Sequence, residues 1–290
     1  MKKRFKGIAY TLGILVCLIC IGVSAGTLLN RWYHRTEESK LLEELQEKKQ
    51  ASETVMHEEE TTAEETEPKE KIDSMEVIKA LISVKNLKQP KVRPILPEYK
   101  ALHEENSDMY GWIKIEGTVI DYPVMFTPND PNFYEDKNWN KEICYASVGT
   151  CIWIDGWTTE DSENTIVYGH EMADYSMFGS LSYYKDPNYY ESHKYIQFDT
   201  IYEKQTYEII SVSKGIVYYD TKPEDEYLFY EHIELDSEDE FNAYVSNAKQ
   251  KGWYDIDTTA KYGDKLITLC TCDGWATDGR LFIVAKKIEN

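Results

Sequence analysis

Residues 265–287 read KLITLCTCDGWATDGRLFIVAKK. Two apolar runs flank a polar stretch that contains two glycines, a pattern that predicts two strands joined by a turn. In an extended strand Thr268, Cys270 and Cys272 share one face, and Leu269 and Thr271 share the other. A nucleophile belongs where the strand opens, which favours Cys272 over Cys270. Arg280 begins the second run, so a hairpin brings it back beside Cys272. A permanent cation there favours the thiolate and donates hydrogen bonds to a developing oxyanion. The bland alternative for Arg280 is a solvated charge at a strand edge. The cysteine pair itself admits four readings: metal clasp, disulfide, core pair or nucleophile.

The other cysteines bear on that choice. Cys144 and Cys151 could join Cys270 and Cys272 in a four-sulfur site, but neither spacing matches a zinc knuckle. A Cys270–Cys272 disulfide is also poor, because i and i+2 stand about 6.5 Å apart in a strand with nearly parallel side chains. A nucleophilic cysteine needs a base or cation beside it. Of the histidines after residue 36, His57 lies in an acidic linker, and His103, His193 and His232 lie in charged helix-like or loop-like contexts. His170 differs. It follows Thr165-Ile166-Val167-Tyr168-Gly169 and so stands at a strand exit, where rigid scaffolds present functional groups.

Around these residues the chain divides into regions. Lys2, Lys3, Arg4 and Lys6 precede an uncharged, mostly apolar run from Gly7 to Leu29. Such a run is long enough to cross a bilayer as a helix, and the flanking cations favour a cytoplasmic N-terminus. A cleaved signal peptide is the competing reading, with Val23-Ser24-Ala25 as its small-residue site. Residues 1–6 are then a basic cytoplasmic tail, 7–29 a membrane anchor and 30–71 an acidic extracellular linker. Residues 36–71 hold thirteen glutamates against five lysines, and beyond a short first helix they read as a solvated spacer. The folded domain spans 72–290. The net charge of −20 argues against nucleic acid as a partner.

Within 72–290 helical spacing occurs in SMEVIKALISV (74–84) and PEYKALHEEN (97–106). Strand-like runs follow: GWIKIEGTVIDYPVMF, split around Glu116-Gly117, then TCIWID, NTIVYGH, KYIQFDT, QTYEIISVSKGIVYY, DKLITLC and RLFIVAKKI. Many short strands in one domain predict a sandwich or barrel. Ser237 and Glu240 form a capping-box pair, with Phe241, Tyr244, Val245 and Ala248 behind them at helical spacing, which predicts a helix just before the cysteine-bearing strand.

Three separated segments then resemble one family, the class B sortases, cysteine transpeptidases of Gram-positive bacteria. Thr268-Leu269-Cys270-Thr271-Cys272 resembles the sortase TLxTC signature, with Cys272 in the nucleophile position. Arg280 is similar in spacing to the family's arginine. The stretch YGHEMADYSMFGSLSYYKDPNYYESHKYIQFDT resembles the segment around the class B catalytic histidine, which implies His170. YGWIKIEGTVIDYPVM resembles the first barrel strands. The chain departs from the family in having Cys270 where many members have Ser or Thr, and Glu171 where Asn is common.

The resemblance implies a mainly β fold with peripheral helices: a closed eight-stranded barrel, an N-terminal helical segment and a long helix before the cysteine strand. It implies cleavage of a C-terminal sorting motif of a secreted protein after its threonine, through a Cys272 thioester resolved by an amine. That amine belongs to a cell-wall precursor or, in a pilus polymerase, to a pilin lysine. His170, Cys272 and Arg280 are the expected catalytic set, and Tyr168 and Thr271 the expected substrate contacts. No metal or cofactor is expected. The expected location is the cell membrane, with the catalytic domain outside. A plain cysteine hydrolase and a non-catalytic surface-binding module on a sortase-like barrel are the competing functions.

Overall fold

The computed structural model describes residues 2–62, 93–144, 150–224 and 226–288. The hairpin of β1 (Met109–Lys114) and β2 (Asp121–Met125) opens the sheet. Its turn falls at Glu116-Gly117, where Gly117 adopts φ 77°, a conformation that costs a residue without Cβ little. β3 (Ile152–Ile154), β4 (Asn164–Tyr168), β5 (Tyr195–Thr200) and β6 (Thr206–Ile216) follow. β7 (Leu266–Cys272) and β8 (Gly279–Ile288) complete the set. Every strand coincides with a β-branched or aromatic run of the sequence.

The eight strands close into a barrel in the order β1-β2-β3-β4-β7-β8-β6-β5. Two neighbours, β2–β3 and β4–β7, run parallel and the others antiparallel. Closure leaves no free sheet edge. The barrel interior is filled by one face of the strands, including Val124, Val167, Leu269, Leu281 and Ile283. The opposite face of β7 and β8 carries Cys270 and Phe282. It is covered by a helix with Phe241, Tyr244 and Val245 on its buried side. That helix is Glu238–Gln250, and the Ser237/Glu240 capping box is formed at its start.

Among the described residues three further α-helices lie outside the barrel. They are α1 (Lys2–Thr62), α2 (Pro97–Glu105) and α3 (Pro187–Ser192), and the capped helix is α4. SMEVIKALISV lies outside the described residues. α1 continues through the acidic stretch read as a spacer, as far as Thr62. Leu41, Leu42 and Leu45 explain the docking of this part. At helical spacing they share one face, which packs on Tyr99, Leu102 and Trp112. Gln46 donates to the Asp121 carbonyl at 2.7 Å, and Lys48 pairs with Glu105 at 2.7 Å.

The expected membrane anchor over 7–29, and the membrane location built on it, are corrected here. Among the described residues no helix is long and apolar enough to cross a membrane. The apolar run is part of one 61-residue helix that turns acidic and docks on the domain.

Candidate active site

Strand register builds the site. β7 and β8 pair Cys272 directly with Arg280. β4 and β7 run parallel with Tyr168 opposite Cys270, and the ladder extends one step further through the Gly169 N–H to the Cys270 carbonyl at 3.1 Å. His170 therefore leaves β4 at the level where Cys272 leaves β7. Gly169 permits this exit: a Cβ there would stand 2.6 Å from Ile152 and 2.7 Å from Phe178. His170, Cys272 and Arg280 are thus brought together, each at a strand end.

They line one cleft of ≈ 330 Å³ with Trp153, Tyr168 and Tyr219 among its walls. A larger hollow of ≈ 400 Å³ at the other barrel end, near Lys265 and Lys287, contains none of the three. Cys272 is exposed and Cys270 buried, and neither is bridged. Burial pushes the Cys270 thiol up to about 12; nearby Arg280 opposes this and Cys272 adds to it. Partial burial pulls the Arg280 pKa down, but Cys272, Cys270 and Tyr219 more than reverse this, so it is raised.

Hydrogen bonds fix the orientations. His170 Nε2 donates to the Glu135 carbonyl at 2.7 Å, since a carbonyl can only accept. The His170 ring lies 5.5 Å from that of Trp153. Arg280 donates through Nη1 to the Gly279 carbonyl at 3.0 Å and through Nη2 to the Tyr219 hydroxyl at 2.7 Å. Tyr168 donates to Asp155 at 3.0 Å. Burial first, then Cys270 and Asp155, hold the Tyr168 hydroxyl well above its ordinary pKa.

The two expected substrate contacts sit differently. Tyr168 lines the cleft. Thr271 is 3% exposed, its hydroxyl has no hydrogen-bond partner, and it projects to the side opposite Cys272. Glu171 has its pKa raised by burial, then by Asp273, while Lys185 opposes the rise. The cysteines form no converging metal cluster among the described residues. The one set of ligand atoms that does converge there, Glu163, Glu234 and Asp236, includes none of the cleft residues. Reading the sequence missed the Glu135 carbonyl, Tyr219, Trp153 and Asp155. Only Trp153 carried a signal, as the aromatic residue inside TCIWID.

A closed eight-stranded barrel with cysteine, histidine and arginine aligned across three adjacent strands has a match among known families. The Sortase domain model matches residues 113–288, more than half of the chain, and the chain belongs to the sortase family. Within that family it is of the class B type. It is 29% identical over 201 residues to Sortase B of Staphylococcus aureus, covering 67% of this chain and 76% of the relative. It is 31% identical over 195 residues to Sortase B of Listeria monocytogenes, covering 66% and 74%. A Bacillus anthracis crystal structure described as similar to sortase B aligns with TM-score 0.58 at 29% identity, over 76% of this chain and all (100%) of that one. The Staphylococcus aureus sortase B–substrate complex aligns with TM-score 0.58 at 27% identity, over 73% and 91%.

Proposed function

We propose that this sortase is a cysteine transpeptidase that cleaves a C-terminal sorting motif of secreted proteins after threonine and transfers the acyl group to a cell-wall peptide amine. The observation that carries the reading is the register pairing of Cys272 with Arg280, with His170 beside them on the parallel neighbour. The Cys272 thiol gives its proton to His170, and the sulfur attacks the threonine carbonyl carbon. Negative charge develops on its oxygen within reach of the Arg280 guanidinium, a planar donor already oriented by Tyr219 and Gly279. The C–N bond breaks and His170 gives a proton to the leaving amine. With Nε2–H engaged by Glu135, that exchange falls to Nδ1. A thioester remains on Cys272. An amine then attacks it: a C–N bond forms, the C–S bond breaks, and the amine's proton returns to His170. Tyr168, on the cleft wall, contacts the bound motif.

The substrate complex solved for the Staphylococcus aureus relative supports a sorting-motif substrate here. The test gives the full chain peptides varied around a Pro-x-Thr core, with and without amines, and follows adduct mass and product. The expected result is an acyl adduct on Cys272 and an amide product that forms only with amine. An adduct on Cys270, or hydrolysed product alone across all amines, overturns the reading.

A further inference from the structure

The Cys272–Arg280 hairpin has two faces, and the cleft uses one of them. Arg280 pairs across β8 and β6 with Gly215, whereas the next residue, Lys214, pairs with Leu281. Leu281 belongs to the barrel interior. Lys214 therefore projects at the barrel mouth, on the side away from the cleft. Its ammonium stands 5.4 Å from the Trp253 ring centre and 5.6 Å from that of Trp275. Lys185 approaches Trp253 at 5.1 Å. It also pairs with Asp273, whose side chain is 2% exposed.

This arrangement is tied to the reacting centre. The Trp275 indole N–H donates to the Arg280 carbonyl at 3.2 Å. The Trp253 N–H donates to the Val212 carbonyl at 2.8 Å, which fixes its segment against β6. Asp273 directly follows Cys272. Both indoles remain part-open, at 37% and 38% exposure. Among the described residues Lys214 has indole faces and no carboxylate as partners. In a chain of net charge −20 it is a cation held between two flat apolar faces and left unneutralised.

We propose that Lys214, Trp253 and Trp275 form the acceptor-binding surface, and that they select an amine whose molecule also carries a carboxylate. This rests on the transpeptidase reading. The carboxylate pairs with Lys214, and the adjoining peptide plane lies on the indoles. Cation–π contacts hold the ammonium in place without neutralising it. An acceptor so bound reaches the Cys272 thioester from the mouth side, while the acyl chain occupies the cleft on the other face. Its nitrogen forms the new C–N bond, Cys272 leaves as thiolate, and the nitrogen's proton passes to His170.

Binding is tested apart from turnover. The full chain is titrated with alanyl-alanine and with alanyl-alanine amide, and indole N–H resonances are followed by NMR. Trp253→Phe and Trp275→Phe identify the two signals. The dipeptide should shift both, the amide should bind about tenfold more weakly, the equivalent of one lost ion pair of ~1.4 kcal/mol, and Lys214→Met should erase that difference. No shift of either indole, or equal binding of acid and amide, overturns the proposal whether or not the chain cleaves any peptide. Failure of the transpeptidase reading is a separate result, namely no adduct on Cys272. In transfer assays the Lys214→Met loss should fall on the acceptor KM, and a loss that falls on donor cleavage assigns Lys214 to the wrong substrate.

Discussion

Arg280 is held by two hydrogen bonds, one to its neighbour's carbonyl and one to Tyr219, so its planar fork is oriented before any substrate arrives. A lysine offers a point charge and no such fork. Arg280→Lys should therefore lose on the order of 10²-fold or more in peptide cleavage, comparable to removing one oxyanion donor. Cys272→Ala and His170→Ala should abolish turnover with the circular dichroism spectrum unchanged. Retained cleavage in any of the three refutes the assigned roles. Cys270 behaves oppositely. It is 2% exposed and its thiol is pushed up to about 12. The native state thus keeps a proton that the unfolded chain gives up near pH 9, so unfolding becomes easier as pH rises from about 9 towards 12. Between pH 9 and 11 wild type should lose roughly 2 kcal/mol more than Cys270→Ala, at 1.4 kcal/mol per unit. Equal alkaline slopes in urea melts would remove that thiol from the account. At pH 8 a mild alkylating agent should label Cys272 and spare Cys270, and Cys270→Ala should keep most activity.

At the scale of elements, the site is the place where two kinds of strand pairing meet. The parallel β4–β7 pair and the antiparallel β7–β8 hairpin deliver their ends to the same level. Gly169 sets the last step. A methyl group there would overlap Ile152 and Phe178, both wholly buried. Gly169→Ala should cost about 1–3 kcal/mol, as overpacking does, and should lower kcat further by moving His170. An unchanged melting midpoint would mean the contact is absent in solution. Local patterns made much of this legible. Alternation in ITLCTC separates Cys272 from Thr271, and Ser237 with Glu240 announces α4. What was illegible depends on chain closure. The Glu135 carbonyl is a main-chain acceptor with no residue identity to read, and it comes from a turn 35 positions before His170. Tyr219 reaches Arg280 from 61 positions away. The acidic run also misled, because its glutamates outweigh three leucines in composition while those leucines share one helical face.

At the scale of the whole molecule, the described residues form three apolar clusters, and the third joins α1 to the barrel's outer wall. Leu45 is fully buried among Tyr99, Leu102 and Trp112. The same helix reaches the two loops that border the cleft. Arg35 pairs with Asp174 at 3.4 Å, in the loop after His170. Glu38 accepts from Asn138 at 2.8 Å, just beyond the turn that carries the Glu135 carbonyl. α1 is therefore a brace from behind, whose docking depends on a few leucines. Burying one such side chain contributes about 1.5–3 kcal/mol, and truncating it leaves a cavity as well. Leu45→Ala should lower stability by about 2–5 kcal/mol, read as a fall in the urea midpoint. Below that transition its effect should fall on cleavage of the sorting peptide, because loops that lose their brace no longer hold His170 against Glu135. A surface control such as Glu47→Ala should change neither. If Leu45→Ala leaves both midpoint and cleavage intact, the helix does not stand on the domain in solution, and the loops around His170 are held by the barrel alone.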